Sequence, residues 1–415
     1  MKFQLAINLE RQSSNEDMNE VASHTLEMVK KADKGGFNIV WSAEHHALEM
    51  TIAPDPFQLL TWWATHTEKI RLGTAVAAAP YWHPIRLAGE AAMTDLISNG
   101  RLEFGIGSGA YQREFDRMFP GLKQTDGWRY MQESLPAVKA LWQGDYEHEG
   151  QFWSFPKSTS VPKPIQSPHP PIWVAARAPI TYDFAVENEC NIMSWPLTRP
   201  MSEAELYKSR LDEAMGKFPN KPKPIFAMMR HTAVYENKND WEVPVKALTR
   251  VLGQFENLFK NLGDVENGFT KIIPLNELEN REQYKPEMLN ENLMFGTPDE
   301  IIKKLKLYEK LGVDEFIYYA TFGLGHEEQQ KSIDLFIEEV MPELSYPVDI
   351  VFETEEGESV TTLNSEEELE LAKRDCREEW EEGEDNEREC FEIVLPVTFV
   401  MPDGCLLYTS DAADE

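Results

Sequence analysis

Short apolar runs alternate with amphipathic segments along residues 1–345. The first run, FQLAINL, occupies residues 3–9 and predicts a strand. It is followed by apolar residues that recur every three to five positions from residue 21 to residue 32, which predicts a helix. Gly35 and Gly36 come next, where a helix C-cap needs a positive φ. This stretch therefore predicts one strand–helix unit.

The same alternation continues to the end of the 345-residue body. Seven further β-rich runs lie at residues 38–45, 70–78, 101–109, 171–177, 191–196, 224–235 and 315–323. Eight strand-like runs with helices between them suit a closed (β/α)8 barrel, which needs about 200 to over 400 residues. An open doubly wound sheet is the alternative, but no GxGxxG motif opens a helix after the first strand. We therefore predict an α/β fold, a (β/α)8 TIM barrel with insertions.

Two segments interrupt this pattern. Residues 145–170 are rich in Pro and Ser around one alternating aromatic run, which predicts a hairpin followed by an extended loop. Residues 262–296 have no sustained apolar period, so we expect a long loop over one end of the barrel. After it, Thr297, Pro298 and Glu300 have the spacing of a helical capping box that leads into the last strand–helix unit.

Charge divides the chain unevenly. The formal net charge of the 415 residues is −32, which argues against nucleic acid as a partner because phosphate contacts need clustered Lys and Arg. Residues 346–415 contain 23 acidic and 4 basic residues, or −19, and this leaves −13 for the body. No apolar stretch of about 18 residues and no signal-peptide pattern occurs, so we expect a cytoplasmic protein that does not insert into membranes.

The acidic tail has a different character from the body. We expect a barrel domain at residues 1–345 and an acidic module of uncertain origin at residues 346–404, either a small α+β unit or a disordered, solvated stretch. This module loosely resembles repeat units of exported bacterial surface proteins, a setting in which Cys376 and Cys390 would suit a disulfide. Residues 405–415, CLLYTSDAADE, resemble translated adaptor sequence from sequencing libraries and predict an artefactual end.

Polar residues at the strand ends are the first candidates for chemistry, because the active site of a (β/α)8 barrel forms there. Glu44, His45 and His46 follow the second strand. Adjacent side chains of an extended segment point to opposite faces, so only one of the two histidines can face the barrel mouth. A single histidine at such a place is more often structural than catalytic. The histidines lack the HExxH spacing of a zinc site, and we expect no metal.

Small residues mark three other strand ends, at residues 73–80, 105–109 and 175–181. Small side chains allow a flat ligand to approach the backbone, and Gly-rich turns expose N–H groups that bind phosphate. A tight strand–helix corner would explain each stretch equally well by itself. The aromatic residues Tyr111 and Trp195 are near these strand ends. Together with them, the three stretches favour a planar, phosphorylated cofactor.

Several motifs in a fixed order give the chain a family resemblance. They are AEHH at 43–46, LGTAVAAAPYWHPIRLA at 72–88, DLISNGRLEFGIGSG at 95–109, YQREF at 111–115, FGTPDE at 295–300 and LGVDEF at 311–316. Through them, residues 1–344 resemble the bacterial-luciferase-like, flavin-dependent monooxygenase family, whose fold is a (β/α)8 barrel. The resemblance implies an enzyme that uses reduced FMN and O2 to oxygenate a small organic substrate through a flavin hydroperoxide.

The resemblance also implies roles for individual residues. His45 matches the family's catalytic histidine, a general acid or base beside the flavin, and Glu114 matches an acidic position on the substrate side. The residues that match cofactor-binding positions are Ala75, Val76, Gly107, Ser108, Tyr111, Ala176, Arg177, Ala178, Thr181 and Trp195. Of these, Ala75 and Val76 match the pair that packs against the isoalloxazine, where luciferases have a non-proline cis peptide. Residues 176–181 fall where the family binds the FMN phosphate.

The fourth strand end departs from the true luciferases. They carry a reactive Cys and a phosphate-binding Arg there, whereas this chain has Gly107 and Ser108. We therefore expect a monooxygenase without light emission. Our hypothesis is that Arg177, in the fifth turn, supplies the missing positive charge.

Several functional questions stay open at this point. The resemblance implies that a separate flavin reductase supplies reduced FMN, and a homodimer is left open. The rival functions are a deazaflavin-dependent hydride-transfer oxidoreductase, a non-catalytic flavin-binding relative and an unrelated barrel enzyme. An aldehyde, a terpene-like hydrocarbon, a ketone and a sulfonate are equally compatible substrates. Six aromatic and methionine residues could line an apolar pocket, although such residues more often belong to a core. They are Trp62, Trp63, Tyr81, Trp82, Met228 and Met229.

Overall fold

The structure is a computed structural model that describes residues 1–278 and 281–344, and beyond them the backbone of several short strands. Contacts between residues divide the chain into two compact units. One unit is Lys2–Val340, and the other comprises Met1 and Met341–Glu415. The boundary between them lies a few residues before the predicted one at residue 345.

Eight parallel strands form the centre of the unit Lys2–Val340. In chain order they are β1 (Lys2–Ala6), β2 (Ile39–Ser42), β3 (Arg71–Thr74), β4 (Leu102–Gly107), β5 (Ile172–Ala175), β6 (Asn191–Ser194), β7 (Phe226–Val234) and β8 (Glu315–Tyr319). Each strand pairs with the next, and β8 pairs with β1, so the sheet closes into a barrel. Every predicted run overlaps one of these strands, and the predicted (β/α)8 fold is confirmed.

Helices surround the barrel and follow its strands. They are α1 (Met18–Lys34), α2 (Pro56–Ala64), α3 (Pro84–Ile97), α4 (Gln112–Met118), α5 (Gly127–Gln143), α6 (Pro179–Glu187), α7 (Met201–Lys217), α8 (Glu242–Lys260), α9 (Pro286–Asn292), α10 (Pro298–Leu311) and α11 (His326–Leu335), which continues as a π-helical turn, Phe336–Val340. The predicted capping box of α10 is present: Thr297 caps the helix and Glu300 reaches back to the Thr297 N–H. After α1, Gly36 adopts the positive φ, at 83°, while Gly35 does not.

Three glycines in β3 and β4 are required because other parts of the chain pack closely against their backbones. A Cβ atom on Gly73 would lie 2.1 Å from the Trp41 ring, and one on Gly105 would lie 1.8 Å from the Thr74 carbonyl oxygen. At Gly107 the nearest atom would be Cγ2 of Val76, at 2.3 Å. The space beside these three backbones is therefore filled by the chain itself, so tight packing explains these small residues.

The first insertion has the predicted hairpin, since Tyr146–Glu149 pairs antiparallel with Ser154–Ser158. The second, at residues 262–296, was predicted as a loop, and this was partly wrong. It contains α9 and the strand Met294–Gly296, which extends the sheet beside the end of β7. Leu289, Leu293 and Phe295 are buried in a core cluster with α8, and their segments are too short to show a periodic pattern.

The tail is described only as backbone strands. Val348–Thr354 pairs antiparallel with Gly357–Leu363 and with Glu392–Val394, and Phe399–Val400 pairs with Leu406–Leu407. The acidic segment between them, with Cys376 and Cys390, lies outside the described residues. Among the described residues, no helix is long and apolar enough to cross a membrane.

Candidate active site

A histidine–glutamate pair lies at the C-terminal end of the barrel. His45 follows β2, and Glu114 is on α4, which follows β4. His45 Nδ1 is 3.1 Å from Glu114 Oε2, and the backbone N–H of His46 donates to Glu114 Oε1 at 2.6 Å. The Glu114 side chain is only 1% exposed, and the His45 ring stacks on Tyr111 with 4.7 Å between centroids. The structure thus brings together three residues that the sequence predicted for the site.

The Glu114 carboxylate controls which nitrogen of His45 carries a proton. An ionised carboxylate only accepts hydrogen bonds, so the contact with Glu114 favours the tautomer with its proton on Nδ1. In that tautomer Nε2 has a lone pair that is available to accept a proton. Such an imidazole can act as a general base and, once protonated, as a general acid.

His46 points to a different partner, as the alternation of an extended segment predicts. Its Nε2 is 2.7 Å from Oε1 of the buried Glu44. Burial lowers the pKa of His46, but its hydrogen bond to Glu44 and the charges of Glu44 and Glu114 outweigh this effect, so that the pKa is raised. Glu44 Oε2 also accepts from the Ala78 N–H at 2.7 Å and from Trp82 Nε1 at 2.8 Å. Glu44 therefore ties the histidine segment to the chain that follows β3.

That chain contains the two residues predicted to contact the flavin ring. Ala75 and Val76 are joined by a non-proline cis peptide bond, as the resemblance implied. The Ala75 N–H donates to Ser42 O at 2.7 Å. Val76 packs against Gly107, so these two residues and Ala75 form one surface next to β4. Gly109 in the following turn has a φ of 79°, which favours glycine.

The predicted phosphate end lies where α6 begins. Ala178 is the N-cap residue of α6, and no side chain caps this end. The Ala176 N–H donates to Met193 O at 2.9 Å, so this group is already used. Arg177 is exposed, with its guanidinium carbon 5.1 Å from the centre of the Phe259 ring. Arg210 of α7 donates to the Arg177 carbonyl oxygen, which adds a second cation that the sequence did not predict.

A cavity at the same end of the barrel contains Trp195 and several residues that the sequence did not predict. They are Glu10, His231, Phe255, Phe259 and Tyr319. Its volume is about 120 Å³, the scale of one six-membered ring, because a cavity of about 150 Å³ holds benzene. None of the six candidates for an apolar pocket lines this cavity, and Trp63, Trp82 and Met228 are core residues.

Three of the missed residues had a signal in the sequence. Glu10 is a charged residue directly after the first apolar run, the same feature that identified His45. Phe255 and Phe259 have the four-residue spacing of one helix face on α8. That face meets the barrel mouth, since Phe259 contacts Tyr111 at 6.1 Å and Phe255 contacts Trp195 at 5.6 Å between centroids.

These features fit a flavin mononucleotide. The surface of Ala75, Val76 and Gly107 is apolar, as an isoalloxazine ring requires. An uncapped helix N-terminus with two nearby arginines suits a phosphate. Within the residues that the structure describes, no group of three or more His, Cys, Asp and Glu side chains could hold a metal ion.

Comparisons with known proteins identify the family of this chain. The family model described as luciferase-like monooxygenase matches residues 1–315. The oxygenase component of a flavin-dependent trigonelline monooxygenase from Acinetobacter baylyi is 41% identical over 345 residues, which are 83% of this chain and 96% of that protein. An FMNH2-dependent dimethylsulfone monooxygenase from Pseudomonas putida is 26% identical over 66% of this chain and 74% of its own.

Solved structures share the fold. An FMN complex of the oxygenating constituent of 3,6-diketocamphane monooxygenase, from Pseudomonas putida, superposes with a TM-score of 0.68 at 18% identity over 84% of this chain and 99% of its own. A monooxygenase from Streptomyces bottropensis gives a TM-score of 0.70 at 24% identity, over 83% of this chain and all of its own. The chain therefore belongs to the luciferase-like monooxygenase family and is a flavin-dependent monooxygenase.

Proposed function

We propose that this chain is the oxygenase component of a two-component FMN monooxygenase, with an N-methylated pyridinium carboxylate as its substrate. The observation that carries the proposal is the His45–Glu114 pair, which lies at the barrel end that also presents Ala75, Val76 and a cavity the size of one ring. Reduced FMN bound there would supply the oxygen chemistry, because reduced flavin itself reacts with O2. A separate flavin reductase supplies the reduced FMN.

Several of the predicted residues have a task that their contacts support. His45 accepts and returns a proton at Nε2, while Glu114 keeps the ring oriented through Nδ1. Ala75 and Val76 support one face of the isoalloxazine. The N-terminus of α6, with Ala178 and Thr181, binds the phosphate together with Arg177.

Gly107, Ser108 and Tyr111 border the flavin from β4 and the turn after it. Gly107 acts indirectly, because it leaves the space that Val76 fills. The buried Tyr111 forms a wall between His45 and α8, and this wall keeps water away from the proton-transferring ring.

The substrate class is supported by the similarity to the trigonelline enzyme and by the cavity. Trigonelline is N-methylpyridinium-3-carboxylate, a single planar ring with one positive and one negative charge. The cavity has the volume of one ring and walls of Trp195, Phe255 and Tyr319, so it matches a planar aromatic compound better than a long-chain aldehyde. The deazaflavin-dependent alternative is not favoured, because the sequence relatives are flavin-dependent monooxygenases.

Oxygen uptake with trigonelline, NADH, FMN and a flavin reductase tests the proposal. His45→Ala should lower the coupled turnover by about 10²- to 10⁴-fold, the usual contribution of a general acid or base. His66→Ala is the matched control, because His66 is exposed and lies between α2 and β3, at the other end of the barrel. Equal turnover in the His45→Ala variant and the wild type would contradict the role of His45. No turnover of trigonelline by the wild type would contradict the substrate class.

A further inference from the structure

Glu10 brings an unusual charge to the cavity at the barrel mouth. It follows β1 and lines the cavity, where its carboxylate accepts a hydrogen bond from the neutral side chain of Gln12. The neighbouring Arg11 does not neutralise it, because Arg11 makes two hydrogen bonds to Glu49, from Nε at 2.8 Å and from Nη2 at 2.5 Å. Among the described residues, no cationic side chain forms an ion pair with Glu10.

Aromatic rings form the walls beside this carboxylate. Trp195 meets Tyr319 edge-on at 5.3 Å and Phe255 at 5.6 Å between centroids. The faces of such rings carry negative potential and attract a cation within about 6 Å. An aromatic cavity lined by a carboxylate without an ion-pair partner therefore favours a positively charged planar ring over a neutral one.

His231 on β7 keeps the wall compatible with a cation. Its ring lies 4.8 Å from that of Tyr319 and 5.4 Å from that of Trp195, and only 7% of the residue is exposed. Burial, with the charge of Arg230, lowers the pKa of His231 to about 3, so the imidazole is neutral at physiological pH. Its buried Nδ1 has no hydrogen-bond partner among the described residues.

Two cations also line the cavity, and both are already paired. Arg199 and Lys260 each form an ion pair with a glutamate four residues away, Glu203 and Glu256 respectively. Among the described residues that line the cavity, Glu10 is therefore the charged group without an ion-pair partner.

We propose that the cavity is a cation-recognition subsite, in which the Glu10 carboxylate faces the ring nitrogen of the substrate and Trp195, Phe255 and Tyr319 enclose the ring. This inference rests on the proposed function and adds the residue that selects a charged ring. Glu10 is a specificity-determining residue and takes no part in the oxygen chemistry.

Calorimetric titration of the full-length protein with two ligands tests the proposal. Trigonelline is compared with 3-methylbenzoate, which has the same shape and the same carboxylate but a neutral ring. Glu10→Gln should weaken trigonelline binding roughly tenfold at about pH 8, the order expected for one partly buried opposite charge. Binding of 3-methylbenzoate should not weaken, because its ring carries no positive charge for Glu10 to attract and its carboxylate is repelled by Glu10.

Glu16→Gln is the matched control. Glu16 lies near Glu10 and accepts the Gln12 N–H at 3.0 Å, but it does not line the cavity. This variant should bind trigonelline as the wild type does at about pH 8. If Glu16→Gln weakens binding as much as Glu10→Gln does, or if both ligands lose affinity equally, the subsite is wrong.

The dependence on pH gives an independent readout. Burial raises the pKa of Glu10 to about 7, with the Gln12 hydrogen bond opposing this rise and the Glu16 charge adding to it. The carboxylate binds the cation only when ionised, so wild-type affinity should rise between about pH 6 and pH 8, and that of Glu10→Gln should stay flat. Other titratable or charged groups around the cavity are Tyr319, His231, Arg199, Glu256 and Lys260. A flat wild-type profile would overturn the proposal.

The outcomes separate the subsite from the proposed function. If trigonelline is turned over but Glu10→Gln binds it normally, the function stands and the subsite fails. If trigonelline is not turned over, the N-methylpyridinium cation serves as a second probe. Binding of this cation that depends on Glu10 would support the subsite without the substrate, and no binding would overturn both.

Discussion

At the scale of single residues, the site depends on carboxylates that each hold more than one partner. Glu114 contacts the His45 ring and the His46 backbone, and Glu44 joins His46 to Ala78 and Trp82. Both carboxylates are almost fully buried, where hydrogen bonds to charged groups are strong and unpaired groups are costly. The histidine segment is therefore fixed in place before any ligand binds.

Arg177 provides a prediction at this scale. Arg177→Ala should raise the Kd for FMN roughly fivefold, since an exposed ion pair contributes up to about 1 kcal/mol, and should reduce the salt dependence of FMN binding. Flavin fluorescence titrated at two ionic strengths measures both effects. Arg250→Ala, a change of an exposed arginine on α8, serves as the control and should leave the Kd unchanged. An unchanged Kd in Arg177→Ala would remove this residue from the phosphate site.

At the scale of elements, β3 and β4 pack so closely that position 105 in β4 has to be glycine. Thr74 Oγ1 donates to Gly105 O at 2.7 Å, and the Gly105 N–H lies 2.9 Å from the same hydroxyl oxygen. This contact lies directly before the Ala75–Val76 segment. The position of the predicted flavin surface is thus set by strand packing.

Gly105→Ala should lower the free energy of unfolding by about 1–3 kcal/mol or more, as expected when a packed core is overfilled. The new Cβ would meet a backbone oxygen, which cannot move without shifting β3. Gly89→Ala is the matched control, since no atom lies within 4 Å of its new Cβ in α3, and this variant should gain about 0.5–1 kcal/mol. Urea denaturation measures both. Equal midpoints for the two variants would contradict the packing argument.

At the scale of the whole molecule, the negative charge and the site belong to different parts of the chain. The candidate site residues all lie within residues 10–319, while residues 346–415 carry −19 of the net −32. We propose that residues 1–345 form the catalytic domain and that the tail takes no part in the reaction. The domain boundary near residue 345 remains a prediction.

A chain that ends at residue 345 should fold, bind FMN with unchanged affinity and turn over substrate like the full chain. Circular dichroism, flavin titration and reductase-coupled oxygen uptake measure the three properties. A chain that ends at residue 311 is the contrasting variant, because it lacks β8 and leaves the barrel open between β7 and β1. Loss of FMN binding on removal of residues 346–415 would show that the tail belongs to the functional unit.

The sequence by itself determined the elements of this protein. The eight barrel strands, the hairpin at residues 145–170 and the capping box at Thr297 follow from period, turn residues and caps, which depend on near neighbours in the chain. The family motifs also identified His45 and the cis peptide at Ala75–Val76. The strand at 294–296 was missed because three buried residues show no period.

Only the tertiary structure decided which side chains meet. His45 and Glu114 are 69 positions apart, and Glu10, Trp195 and Phe255 come from three separate strand–helix units. Their meeting depends on closure of the barrel and on the angle at which α8 packs, and no local pattern encodes either. The chemistry of single residues is therefore readable from the sequence, whereas the charge and shape of the cavity arise from contacts across the barrel mouth.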